Sequence, residues 1–377
     1  MAAPRLTRRA LNRATLARQG LLAPLQTDDI AAAVARVGSL QAQHPEWPPV
    51  ALWTRSGDQA VAGLAEALAA RGVVRGALMR VTVHIVAADD FWPIATLTQG
   101  LRRIQFRSIF KADPFDSPLG RRLTATHAAV RAALRDGPLR IRDMDAIMKA
   151  EAPDLADGPN RMHWRHLAAS IPMVHVPFDG EGYGRSRYAI AEEWIGPRPS
   201  KLNEATARQH VLERYLAAFG PASLDDLMAY VGARGGVTVW REALGALGDR
   251  VEAFDGEDRR VLHDLADAPR PGDDAPAPPR LLARWDSLLL SHAAKARQRV
   301  IDDEHRSAVY TKNADVLPSF LVDGRVAGTW DRDGATVTLR PFGRLVAADR
   351  RALEEQAARL VRVLEPDAGD ARVVVRR

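Results

Sequence analysis

The stretch Ser39-Leu40-Gln41-Ala42-Gln43-His44-Pro45-Glu46-Trp47-Pro48-Pro49 holds the residues best suited to chemistry. Its two glutamines stand two positions apart. In a helix such positions diverge, whereas in extended chain they project to one side. Pro45 pushes His44 out of the helical region, so a preceding helix is expected to end about here. The pair would then flank a helix C-terminus, where the macrodipole is negative and carbonyls lack partners. Each glutamine offers a neutral acceptor carbonyl and a donor amide. Two such amides suit a cation or a polarised water; alternatively they merely satisfy backbone groups at the helix end.

Other chemistries find little support. With no cysteine among 377 residues there is no disulfide framework, Cys-bearing zinc site, iron–sulfur cluster or thiol nucleophile. The ten histidines form no metal-binding pair with an intervening Glu, and no metal or cofactor is expected. His163 and His166 are three apart on an expected helix, where a DNA-facing or satisfied surface histidine is a better reading than a metal ligand. Gly182-Tyr183-Gly184 reads as a turn between strands, not as a phosphate cradle. Trp164, Trp240, Trp285 and Trp330 read as core or hairpin packing residues.

Lys and Arg number 53 against 47 Asp and Glu, a net charge of +6, and only five of the basic residues are lysine. Arginine's planar donor fork suits phosphate. An Ala- and Arg-rich composition is equally what a GC-rich genome produces, so the bulk charge alone does not identify a polyanion partner. No apolar run is long enough to span a membrane, and a cytoplasmic location is expected.

The elements that would position the glutamines recur in order. Apolar spacing predicts helices at 10–21, 29–40 and 60–70, then strands at 73–75 and 81–86. Helices at 124–135, 143–151 and 161–170 precede a hairpin of 171–177 and 186–190 around Gly180, Gly182 and Gly184. Helices at 204–219, 224–231 and 239–247 precede strands at 251–254 and 260–262. Gly137-Pro138-Leu139-Arg140-Ile141 and Gly220-Pro221-Ala222-Ser223-Leu224 share a pattern in which Gly closes one helix with a left-handed cap and Ile141 or Leu224 anchors the next. Residues 266–280 hold five prolines and read as a linker, while Asp323-Gly324 and Asp333-Gly334 predict hairpins in a separate β domain. A helix at 347–364 and a strand at 373–375 follow. The expected fold is α+β. Tandem winged helix–turn–helix modules at 1–100, 119–200 and 201–265 are followed by the linker 266–280 and a β-rich domain at 281–377.

With these residues in view, the chain resembles the AlkZ family of winged-helix DNA glycosylases, related to the bacterial YcaQ proteins. The family's catalytic Gln-x-Gln motif, with an aliphatic middle residue, is similar to Gln41-Ala42-Gln43, followed by Pro48-Pro49-Val50-Ala51-Leu52-Trp53-Thr54-Arg55. Leu78-Met79-Arg80-Val81-Thr82-Val83-His84-Ile85-Val86, Leu288-Leu289-Leu290-Ser291-His292 and Leu321-Val322-Asp323-Gly324-Arg325-Val326-Ala327-Gly328-Thr329-Trp330 also resemble the family. Relatives often have Gly where Val81 stands and an Asp–basic pair where this chain has Ala294-Lys295.

The resemblance implies a β-barrel-like C-terminal domain, a nucleoid-associated monomer, and hydrolysis of the N-glycosidic bond of alkylated purines in double-stranded DNA, including bulky adducts and interstrand crosslinks, in repair or self-resistance to a genotoxin. N7 alkylation charges the base, so the leaving group needs no general acid. Gln41 and Gln43 would jointly position water and stabilise the oxocarbenium-like sugar, work that neutral carbonyl dipoles can do. For DNA contacts, Lys295, Arg297 and Arg299 alternate and in extended chain would form one cationic row, with a solvated face as the plain alternative. His163 and Arg165 are further DNA-facing candidates. The competing readings are a winged-helix transcription regulator and an inactive DNA-binding scaffold.

Overall fold

Asp29 starts the element that leads into the glutamines. Its carboxylate accepts from the Ala31 and Ala32 N–H groups at 2.8 and 3.2 Å and caps the helix Ile30–Val37. Gly38, at φ +87°, ends that helix in a conformation that favours glycine. The chain then runs extended, and Leu40–Gln41 pairs antiparallel with Val83–Ala87, Gln41 opposite His84. Gln41 therefore ends an edge strand, with Gln43 in the bend that follows, and neither sits at the helix end expected from Pro45. Gly38 was the signal that decided it. Pro48 and Pro49 occupy the first turn of a further helix, Trp47–Ser56, where a missing N–H costs nothing.

The computed structural model describes residues 4–177, 187–232, 236–313, 315–367 and 369–376. The turn glycines Gly180, Gly182 and Gly184, and with them Tyr183, lie outside the described residues. Helix Pro118–Asp136 begins six residues before the helix expected at 124–135, while Arg8–Arg18, Gln59–Ala69, Ile141–Glu151 and Met162–Ser170 match expected segments to within a few residues. So do Glu204–Phe219, Leu224–Val231, Val237–Leu247 and Ala347–Leu364. The mixed α and β content agrees with the expected class.

The first two hairpins merge. Their strands form one five-stranded sheet in the order Leu40–Gln41, Val83–Ala87, Val73–Ala77, Met173–Val176, Arg187–Ile190. The joint is the antiparallel pairing of Arg75 with His175 and Gly76 with Val174. The long helix Ala88–Phe110, which no expected element anticipated, connects the two halves and crosses this sheet. A Cβ on Gly76 would lie 3.0 Å from the Phe91 ring, which shows how closely that helix approaches. Strands Val251–Gly256 and Val261–Leu265 form a separate hairpin, to which Arg5–Leu6 adds in parallel.

The C-terminal region corrects the barrel expectation. Its strands make an open sheet in the order Arg372–Val375, Thr336–Pro341, Arg325–Asp333, Ser319–Val322, Arg280–Leu282, and no pairing among the described residues closes it. Nor is it a separate unit. Leu281, Phe320, Trp330, Leu339 and Leu360 share one core with Val34, Leu52, Trp53 and Leu64 of the N-terminal helices. Burying apolar surface from both ends of the chain in one cluster ties the motif's support to the C-terminus. Residues 266–280 are likewise no free linker: Arg18 donates to the Pro269 carbonyl and Arg13 to the Ala275 carbonyl, the latter at 2.7 Å.

Two fully buried ion pairs lock these distant segments. Arg18 meets Asp264 through two bonds of 2.7 Å, and Arg55 meets Asp286 at 2.9 and 2.6 Å, with all four side chains at 0% exposure. The first pair explains Gly220. That residue has φ −64° and ψ 164°, so it is not the expected left-handed cap; a Cβ there would lie 2.4 Å from Asp264 Oδ1 and 2.5 Å from Arg18 Nη1. Gly137 is also outside the left-handed helical region, at φ 156° and ψ 173°. Ile141 and Leu224 do open the next helices.

Candidate active site

The edge strand ends at Gln41, which is half-buried; Ala42 is completely buried, and Gln43, in the bend that follows, is exposed. Several bonds hold this geometry. The Ala42 N–H donates to the Val83 carbonyl at 2.8 Å, and Arg75 donates to the Ala42 carbonyl at 3.0 Å. Just upstream, Ser39 bonds the Tyr230 hydroxyl at 2.7 Å and its carbonyl accepts from Ser287. The strands, the helix Leu224–Val231 and the segment at Ser287 thus meet on Ser39 and Ala42.

The side-chain carbonyls face local backbone donors. Gln41 Oε1 accepts from the Gln43 N–H at 3.2 Å, and Gln43 Oε1 accepts from the Val83 N–H at 3.3 Å. Each amide oxygen has two lone pairs, so one remains on each for a water or a cationic centre. His84 supports the donor strand: its Nδ1 lies 2.9 Å from the Thr82 carbonyl and its Nε2 3.2 Å from an Arg80 nitrogen. Burial, then the neighbouring Arg80 charge, pulls the His84 pKa down to about 3, so the ring is neutral at pH 7. A neutral ring can donate from Nδ1 to Thr82 and accept at Nε2 from Arg80.

Gln43 lines a cavity of about 490 Å³, whose far walls come from the Ala88–Phe110 helix and from Met162–Ser170 with its following strands. Trp164 and Tyr188 supply aromatic surface, their ring centroids 5.8 Å apart, and His175 lies 4.5 Å from the Tyr188 ring. Arg102, Arg161 and Arg165 supply its charge. Burial, then Arg75 and Arg102, holds the His175 pKa near 3. Gln41 does not line this cavity, so the two glutamines differ in access.

The turn at the cavity rim is strained. Arg80 and Val81 have φ +54° and +59° between strands Val73–Ala77 and Val83–Ala87. A β-branched residue in that region is rare, and glycine would adopt it freely. Val81→Gly removes about 1–2 kcal/mol of left-handed strain and adds up to about 1 kcal/mol of unfolded-chain entropy. A gain of about 0.5 kcal/mol in urea-unfolding free energy is expected, and a loss would show that Val81 is packed and not strained.

The remaining candidates fall elsewhere. Arg165 lines the cavity with Gln43. His163 is 7% exposed and bonds Asp145 at 2.8 Å, an anchored position behind the wall formed by Trp164, whose indole N–H donates to the same Asp145 at 2.7 Å. Trp164 is therefore more than packing, whereas Trp240 and Trp330 are buried core residues. Lys295, Arg297 and Arg299 do not form a cationic row. Residues Ala294–Arg299 make a 3₁₀ helix and not extended chain, so alternate positions diverge. Arg299 is 2% exposed and donates to the Pro221 carbonyl at 2.9 Å. Arg297 lies 4.5 Å over the Tyr310 ring, and Lys295 pairs with Asp225 at 2.9 Å on the surface.

Among the described residues no group of three His, Asp or Glu side chains is arranged to hold a metal ion, and no helix is long and apolar enough to cross a membrane.

The chain is similar to known proteins in family and in fold. The family model described as DNA glycosylase AlkZ-like matches residues 34–363. A curated protein from Streptomyces sahachiroi, described as an interstrand DNA cross-link repair glycosylase, is 29% identical over 168 residues, which are 44% of this chain and 44% of that protein. That match spans under half of the relative's length. The solved structure of Streptomyces sahachiroi DNA glycosylase AlkZ shares the fold, with a TM-score of 0.79 at 20% identity over 100% of both chains.

Proposed function

The chain belongs to the AlkZ-like DNA glycosylase family, and from that membership we propose that it hydrolyses the N-glycosidic bond of N7-alkylated purines in double-stranded DNA. The observation that carries this reading is Gln43 on the wall of a 490 Å³ cavity, with its carbonyl fixed by the Val83 N–H.

Cavities of about 300–1,000 Å³ hold drug-sized ligands, so there is room for a purine with a large substituent once the nucleotide is turned out of the duplex. The reaction breaks the C1′–N9 bond. The electron pair goes to N9, the cationic base leaves neutral, and the positive charge passes to the sugar. Water adds to C1′ and releases a proton to solvent. Gln43 presents a fixed dipole to that cation and its attacking water, and Gln41 holds the Gln43 backbone through its side-chain carbonyl. No cofactor enters the scheme, and an abasic sugar remains in the strand. The relative's description as a cross-link repair glycosylase supports bulky adducts and crosslinks as substrates, in repair or in self-resistance.

The test is a panel of duplexes carrying 7-methylguanine, a bulky N7 adduct and an N7-linked crosslink. Free base is expected from each, most efficiently from the bulky adduct. Binding to an undamaged operator with no base release from any member would instead establish a regulator or scaffold.

DNA affinity is expected to fall at least about 10-fold between about 50 and about 200 mM salt, because phosphate neutralisation releases counterions. Lys295→Ala should lower the slope of log affinity against log salt by about 1 if Lys295 leaves Asp225 for a phosphate. Arg299→Ala should leave the slope unchanged, since that guanidinium is buried. A slope that falls for Arg299→Ala but not for Lys295→Ala would reverse the assignment.

A further inference from the structure

The cavity beside Gln43 has an electrostatic character that the glutamines do not use. Its charged lining is wholly cationic: Arg102, Arg161 and Arg165 contribute, and no Asp or Glu lines it among the described residues. Arg102 is placed most firmly. It projects from the Ala88–Phe110 helix and donates one N–H to the Ala77 carbonyl at the end of strand Val73–Ala77. No carboxylate pairs with it among the described residues. Burial pulls its pKa down only to about 10, so it keeps its charge at pH 7. His175 beside it is neutral and cannot offset that charge.

Such a cavity is unfavourable for holding a cationic base and favourable for releasing it. An N7-alkylated purine carries its positive charge on the imidazole ring. As C1′–N9 breaks, the electron pair passes to N9 and the ring becomes neutral. The charge that remains sits at C1′, outside the arginines and beside the glutamine carbonyls. A guanidinium facing the ring therefore raises the bound substrate relative to the transition state. Its N–H groups can also meet the purine's carbonyl edge, the one acceptor left on that side once N7 is alkylated. Trp164 and Tyr188 provide the apolar wall on which the neutral ring can stack.

We propose that Arg102 is a further catalytic residue, contacting the departing purine in this cavity and driving its charge toward the sugar. This rests on the base-excision reading. The rival role for an arginine here is a phosphate contact, and the two roles separate cleanly.

The experiment compares wild type, Arg102→Gln and Arg102→Lys in single-turnover release of 7-methylguanine at saturating enzyme, with DNA affinity measured across salt. Arg102→Gln is expected to slow release by about 10²-fold, the scale for losing one preorganised donor. Arg102→Lys should recover most of the rate. Affinity and salt slope should stay within about twofold for both, because no phosphate is involved. An unchanged rate overturns the proposal, as does a rate restored by saturation together with a slope lower by about 1. If Arg102→Gln does not fold, wild type decides alone. At about pH 6, where 7,9-dimethylguaninium keeps its N1 proton and its positive charge, free neutral 7-methylguanine should inhibit at least about 10-fold more strongly than that cation, and equal inhibition would sink the idea. Base release by wild type with no effect of Arg102 defeats this proposal only; no release by wild type defeats the excision reading with it.

Discussion

Exchanging Gln43 for Ala is expected to reduce single-turnover base release from N7-alkylated DNA by about 10²–10³-fold, while DNA affinity changes less than about threefold. The size follows from removing a preorganised dipole aimed at developing charge. The selectivity follows from position: Gln43 is on the wall of the cavity, and its backbone N–H, not its side chain, holds Gln41 Oε1. Gln41→Ala should cost less, about 10-fold, because Gln41 does not line the cavity. Rapid-quench kinetics on a duplex with one 7-methylguanine measures both. Equal losses would mean that the two amides act as one unit on the same water, and a greater loss for Gln41 would place the reacting sugar on the strand-edge side of the motif.

The second large effect concerns stability. Asp264→Ala is expected to lower the unfolding free energy by about 3–5 kcal/mol, since it strands a fully buried guanidinium. Arg18 would keep only carbonyl partners, Leu216 at 2.8 Å and Pro269 at 3.2 Å, and Arg270 would lose a 2.8 Å partner as well. Arg18→Met with Asp264→Leu should be milder than Asp264→Ala alone, because no unpaired charge is left in the interior. Urea denaturation followed by tryptophan fluorescence reads both. A loss below about 1 kcal/mol for Asp264→Ala would show that solvent reaches this pair.

Much of the architecture was readable from periodicity and turn chemistry. The helices Glu204–Phe219 and Ala347–Leu364 and the two Asp-Gly hairpins stand where apolar spacing and turn residues place them. These signals are local, and they depend little on the rest of the chain. The assembly was not readable. Nothing in either segment announces that Val73–Ala77 and Met173–Val176 pair, or that Leu281 and Phe320 share a core with Leu52. Long-range pairing is written in packing complementarity, which one sequence does not display.

The glutamine motif was legible as chemistry but misplaced in structure. Pro45 points to a helix end near His44, whereas Gly38, at φ +87°, ends the helix six residues earlier. The correction matters, because the edge strand places Gln41 opposite His84 and the bend beyond it carries Gln43 to the cavity wall. Arg102 was missed because its helix, Ala88–Phe110, is interrupted by Pro93 and has mixed periodicity. Arg299 shows the opposite failure. Its alternation with Lys295 and Arg297 suggested a surface row, but burial beside the Pro221 carbonyl and Asp226 draws it inward. Val81 was noticed only as a departure from relatives that often carry Gly, and its φ of +59° supplies the physical meaning of that difference.

The central claim is that Gln43 and its cavity excise an alkylated purine. The most direct measurement uses a duplex with a single 7-methylguanine, enzyme in excess, and chromatographic detection of the free base together with the abasic strand. Both products are expected in equal amounts from the wild-type protein, at least about 10²-fold faster than spontaneous depurination, and near the spontaneous rate from a chain carrying Gln41→Ala and Gln43→Ala. Release no faster than in buffer, or undiminished release from the double variant, would contradict the claim.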